Sequence, residues 1–119
     1  MAHNQKLGKV GENIAAAWLR AQGYRILERN WRFHHKEIDI IAEKGEELVI
    51  VEVKTREEQE QHPGELVTLE KERFLIQAAD AYIRKHAIDK ETRFDVILIT
   101  FRGGEHELEH VPRAFYPTM

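Results

Sequence analysis

The chain has 119 residues, 42% of them apolar and 33% charged, which suits one soluble domain with a single core and argues against disorder. It contains no cysteine, which excludes a disulfide framework and any thiolate metal site. A bound metal must then use oxygen or imidazole ligands, a set that favours Mg²⁺ or Mn²⁺ over structural zinc.

The net charge of −3 does not advertise a polyanion partner, but it is unevenly spread. Residues 1–36 carry seven Lys/Arg against Glu12 and Glu28, a net of +5, which leaves −8 on the remainder. That asymmetry suits a face for a polyanion beside an acidic pocket for cations, and equally suits charges scattered over a solvated surface. "MAHNQKLGKVGEN" has no apolar core of signal-peptide length, and no later run could cross a bilayer, so a cytoplasmic protein is expected.

In chain order, Leu7, Val10, Ile14, Trp18 and Ala21 recur at helical spacing between Gln5 and Gln22, and Gly23 sits where a helix turns left-handed to stop. "YRILERNWRF" reads as a strand. "EIDIIAEKGEELVIVEVKTR" reads as two strands around a turn near Gly45. The polar stretch Glu57–Leu66, with a Pro-Gly pair, is expected to be a mobile loop. Thr68 can cap a second helix whose stripe is Leu75, Ile76, Ala79, Tyr82 and Ile83. "RFDVILITF" is an apolar strand for the sheet interior, and "HELEHVPRAF" is an edge strand because Pro112 cannot donate to a ladder. The order α-β-β-β-α-β-β over residues 1–119 describes one α/β domain, a sheet with helices packed on it.

The informative stretch is "LVIVEVKTR", residues 48–56, an apolar run that carries Glu52 and Lys54 in its second half. Alternation puts Glu52, Lys54 and Arg56 on one face and Val49, Val51 and Val53 on the other. In the preceding strand Glu37, Asp39, Ile41 and Glu43 would share a face, opposite Ile38 and Ile40. A turn centred between Gly45 and Glu46 sets Asp39 directly across from Glu52, with Cβ atoms ~5 Å apart. Two carboxylates that close repel unless a proton or cation lies between them. A hard cation there could polarise a phosphodiester and activate water, with Lys54 stabilising charge on the phosphate. The other reading of the same spacing is a solvated hairpin end with an ordinary Glu–Lys pair. Glu12 lies among Gly8, Ala15, Ala16 and Leu19 on the first helix, which suggests close approach of another element on that side.

Asp39 followed by "EVK" at Glu52–Lys54 resembles the D…(D/E)-x-K signature of restriction-endonuclease-like nucleases. "GKVGENIAAAWLRAQGYRILERNWR", "EIDIIA", "VEVKTR", Lys71 and "RFDVILI" are together similar to the YraN-like bacterial family, near the archaeal-type Holliday-junction resolvases. The resemblance covers nearly the whole chain. It implies a mixed β-sheet flanked by helices and metal-dependent cleavage of DNA. It also implies that Asp39 and Glu52 ligate Mg²⁺ or Mn²⁺, that Lys54 is the catalytic lysine, that Glu12 completes the acidic cluster and that Glu37 supports the metal from behind its ligands. Lys36 stands where the family commonly has glycine. Arg32, Lys36, Arg56 and Lys71 are the expected phosphate contacts, which position DNA without reading its sequence. A resolvase-like reaction on a symmetric junction asks for two sites, so a homodimer is open, as is a partner protein that brings activity.

A binding or assembly module that keeps the fold without the chemistry is the rival reading. The acid set argues against it, and the acidic loop at Glu57, Glu58, Glu60 and Glu65 argues for it. "HELEH" matches the H-E-x-x-H of zinc proteases, but that motif works on a helix. Gly103, Gly104 and Pro112 leave no room for one. Arg93 and Asp95 read as a structural pair, Trp18 as core, and Trp31 and Phe33 as core before base-stacking platform.

Overall fold

Backbone hydrogen bonding and apolar burial agree on one sheet covered on both faces. The computed structural model describes residues 2–58 and 66–117. Helix α1 spans Ala2–Ala21; strands β1, β2 and β3 span Arg25–Phe33, Lys36–Lys44 and Glu47–Glu57. Helix α2 follows at Leu69–His86, and β4 and β5 close the chain at Glu91–Arg102 and Glu105–Phe115. The sheet order is β1-β2-β3-β4-β5, antiparallel except for β3 beside β4. Parallel neighbours need a crossover, and α2 is that crossover. Most of the expected mobile loop, including Glu60 and Glu65, lies outside the described residues. Among the described residues no helix is long and apolar enough to cross a membrane.

The local signals act as the chemistry requires. Gly23 is left-handed at φ +92, and Tyr24 N–H reaches back to the Leu19 carbonyl at 2.9 Å, closing α1 with a 6→1 bond. Gly45 is left-handed at φ +59, and the β2–β3 hairpin pairs Lys44 with Glu47 and Ile40 with Val51, the register set by a turn between Gly45 and Glu46. Thr68 caps α2, its hydroxyl accepting the Lys71 N–H at 3.1 Å. Lys36 needs no glycine, because it lies in an extended strand while His34 takes the left-handed turn at φ +60.

Two clusters form the core. On one face Ala15, Ala16 and Leu19 of α1 meet Ile40, Ala42, Val49, Val51, Ile97 and Ile99. On the other, Leu75, Ala78, Ala79 and Tyr82 of α2 meet Ile38, Ile41, Leu48, Ile50, Phe94 and Val96. The buried side of α1 is therefore not the Leu7/Val10/Ile14/Trp18 stripe. Val10 is 45% exposed, whereas Gly11, Ala15, Ala16 and Leu19 are buried. Small residues let the helix axis approach the sheet, and Gly11 is the limiting point. A Cβ there would lie 2.1 Å from Thr55 Cγ2 on β3.

Strand β2 also departs from strict alternation. Ile38 packs on the α2 side and Ile40 on the α1 side, so the strand reverses its facing at Asp39. Opposite Asp39, Asn30 of β1 is left-handed at φ +53, and the β1–β2 ladder skips this pair. The expectation that Ile38 and Ile40 share a face fails for that reason.

A polar network ties β5 to the α1 side. The carboxylate of Asp95 is fully buried, accepting from Arg93 at 2.9 Å through each oxygen and from the Arg113 N–H at 3.0 Å. His110 Nε2 lies 2.7 Å from Asp95 Oδ2, and the Trp18 indole N–H donates to His110 Nδ1 at 3.4 Å, which assigns the ring proton to Nε2. Burial alone would raise the Asp95 carboxyl, but the hydrogen bonds from His110, Arg93 and the Arg113 N–H together hold it below the usual aspartate range. Arg93 and Asp95 are thus a structural pair. His110 belongs with them, not with His106, since positions four apart on a strand are ~13 Å distant and cannot share a metal.

Two stability outcomes follow. Gly11→Ala should destabilise the fold by about 1–3 kcal/mol in urea titration, although alanine is the better helix former. Adding Thr55→Ser should recover most of that loss, and Gly8→Ala, which meets open space, should be neutral or stabilising. Asp95→Ala should remove about 1–3 kcal/mol, because it takes the acceptor from His110, from the Arg113 N–H and from two Arg93 donors, while Glu47 still pairs with the Arg93 guanidinium.

Candidate metal and phosphate site

The site forms where β2 and β3 stop pairing. Ile40 and Val51 are the last partners in the ladder, and Asp39 and Glu52 come next. Asp39 turns its carboxylate inward and accepts the Val53 N–H at 2.7 Å, so a side chain takes over a backbone donor that the ladder no longer uses. Glu52 points to the α2 side with a side chain only 9% exposed. Its Oε2 lies 3.5 Å from the Lys71 ammonium, and its Oε1 is buried with no hydrogen-bond partner.

Burial is the largest influence on both acids. It raises Asp39 from 3.8 to about 8, with help from the charges of Glu52 and, more weakly, Glu12, and against the opposing Val53 N–H and Lys71. Glu52 is also raised by burial, offset by the Lys71 charge, a hydrogen bond shared with Asp39 and the Lys54 charge. Burial and the neighbouring carboxylate thus both favour the protonated form of Asp39.

Glu12 stands nearby on α1, with Oε1 accepting from the Asn30 amide at 3.1 Å, while Lys9 reaches the same asparagine at 3.5 Å. Glu37 lines a cleft of about 440 Å³ with Gly8, Lys9, Glu12 and Asn30, and sits 3.9 Å from Arg32. Lys54 lies two residues beyond Glu52 on the same strand and makes no ion pair within 4 Å among the described residues, although its charge is felt by Glu52. Arg56, a further two residues along, donates to Thr100 at 3.0 Å and borders a hollow of about 400 Å³ with Leu98, Glu107 and Glu109. Lys36 is 4.0 Å from Glu70, and both it and Lys71 lie 5.7 Å from the centre of the Phe74 ring.

The structure thus brings Asp39, Glu52 and Lys71 together, sets Glu12 beside them, and leaves Arg32 and Arg56 farther out. Two residues carry weight that the sequence alone did not reveal. Asn30 both reverses the facing of β2 and holds Glu12; asparagine's tolerance of the left-handed region was the available signal. The Lys71–Glu52 pair is a tertiary contact with no local signature. Among the described residues no three His, Cys, Asp or Glu converge tightly enough to enclose a metal alone. Two carboxylates still suit Mg²⁺ or Mn²⁺, which keep several waters and need only one or two protein ligands. The orphaned Glu52 oxygen is the atom such a cation would satisfy.

The raised Asp39 gives a pH signature. The folded chain holds this proton to higher pH than the unfolded chain, so its contribution is full below about 3.8 and is lost as pH rises through about 8. Melting in EDTA should show stability declining across that window. Asp39→Asn, which can still accept the Val53 N–H and donate to Glu52, should flatten the decline.

Comparison with known proteins places this sequence in a family. The profile of the Uncharacterised protein family UPF0102 matches residues 11–99, a span that includes Glu12, Asp39, Glu52, Lys54 and Lys71. A UPF0102 protein of Bacteroides thetaiotaomicron is 47% identical over 120 residues, covering 100% of this chain and 99% of its own length. One from Geobacter metallireducens is 45% identical over 115 residues, covering 95% and 94%. One from Flavobacterium psychrophilum is 43% identical over 117 residues, covering 98% of each. A match that spans most of the sequence at this identity makes the chain a member of the UPF0102 family.

Proposed function

We propose that this protein is a Mg²⁺- or Mn²⁺-dependent deoxyribonuclease of the restriction-endonuclease-like type, hydrolysing phosphodiester bonds in branched or processed DNA. The observation that supports it best is half-buried Asp39 beside buried Glu52, with one oxygen of Glu52 unsatisfied and Lys54 two residues away. A pure binder of a polyanion has no use for two desolvated carboxylates, whose burial is costly without a cation or proton.

Asp39 and Glu52 would hold the cation, which supplies charge for a phosphodiester oxygen and a more acidic bound water. Val53 N–H fixes the Asp39 carboxylate in place. Lys54 would orient the water or meet charge that builds on the phosphate, and Glu12, held by Asn30, would complete the acidic cluster from α1. Glu37 would brace the site through the shared cleft. Arg32, Lys36 and Arg56 are set for the phosphate backbone, which aligns DNA without reading its bases. Recognition would therefore follow DNA structure. A second copy or a partner protein would supply whatever symmetry the substrate demands.

The test is cleavage of single-stranded, duplex, flapped and four-way-junction DNA with Mn²⁺, Mg²⁺ or EDTA. Wild type should cut in a metal-dependent way, and folded Glu52→Gln and Lys54→Ala should each lose about 10²-fold or more. Folded wild type that binds these DNAs and cuts none would make the chain a binding module.

A further inference from the structure

Lys71 occupies an electrostatically awkward position. It lies in the first turn of α2, three residues after the Thr68 cap, where unpaired backbone N–H groups make the helix end positive. Glu70 and Glu72 in that turn complement the helix end, and Lys71 opposes it. What holds its ammonium is Glu52, 3.5 Å away, in the one ion pair that the acid pair makes among the described residues. The match is incomplete, because Glu52 Oε1 remains buried and unpartnered. Lys71 also has somewhere else to go. Its side chain is 30% exposed, so the ammonium has a path to solvent.

We propose that Lys71 is an exchangeable counter-ion. It neutralises Glu52 in the metal-free protein and gives way to a divalent cation, turning toward the open side where a phosphate would arrive. This rests on reading Asp39 and Glu52 as the cation site. Lys71 is on this account a positioning residue: it holds the Glu52 carboxylate in place until the metal takes it, and it competes with the metal while doing so. A divalent ion close to an ammonium is repelled by it, so removal of the ammonium should tighten metal binding, the opposite of what loss of a ligand does.

The experiment is calorimetric titration of Mn²⁺ into the intact protein, with folding of each variant verified by circular dichroism. Lys71→Met should bind Mn²⁺ about tenfold more tightly than wild type, equivalent to about 1.4 kcal/mol. Lys71→Gln repeats the neutralisation with a polar side chain should the methionine variant fold poorly. Lys71→Arg, which restores the charge, should return the wild-type affinity, an outcome that a merely structural role would not produce. Glu52→Gln should abolish binding. Equal or weaker binding by both neutral variants, with wild type still binding, overturns the exchange and leaves the nuclease reading standing. No Mn²⁺ binding by any folded form overturns both.

Discussion

Two carboxylates share a desolvated corner where β2 and β3 part, and much of the surrounding architecture compensates their repulsion. Asp39 takes the Val53 N–H and is pushed toward its protonated form, and Glu52 takes the Lys71 ammonium. None of these partners is local in sequence. Val53 comes from the next strand and Lys71 from the crossover helix, so the sheet and α2 must both be in place before the acids are tolerable. The corner is consequently a product of the completed fold.

The same device appears twice with opposite results. Asp95, like Asp39, accepts a backbone N–H where a ladder is interrupted: Phe94 pairs with Phe115 and Val96 with Val111, and Arg113 between them donates to Asp95. Asp95 also receives Arg93 and His110, and its charge is fully matched. Asp39 receives one N–H and faces two further acids. Asp95 is therefore held in its ionised form as a structural group, whereas Asp39 is pushed toward its protonated form. Burial pushes both carboxyls up, and the number of donors decides whether that push is overcome.

Much of this was legible in the sequence. The turn centred between Gly45 and Glu46 set the hairpin register, and Gly23 and Thr68 marked helix ends by requirements that few residues meet. The candidates Asp39 and Glu52 followed from that register. Their orientation did not, because the facing of β2 turns on Asn30 in a neighbouring strand. On α1 the stripe of large apolar residues pointed away from the most buried side, while the small residues around Glu12 correctly signalled close approach there, since packing against a sheet favours Gly11 and Ala15. His110 resembled an exposed strand histidine, and nothing near it in sequence announced Asp95 or Trp18. Each of these depends on contacts between elements far apart in the chain.

The irregular end of β5 has a consequence beyond tertiary structure. An outermost strand offers its unused backbone groups to any other chain, and this one is eleven residues long. Pro112 removes one donor, and Arg113 is left-handed at φ +52 with its N–H turned inward to Asp95. Glu105, Glu107 and Glu109 line one face of the rest with like charge. The carboxylate that anchors the strand to the core thus also spoils its outer rim as a template. Correct docking of β5 and resistance to strand-on-strand aggregation are established in a single step, and a chain that fails the first forfeits the second.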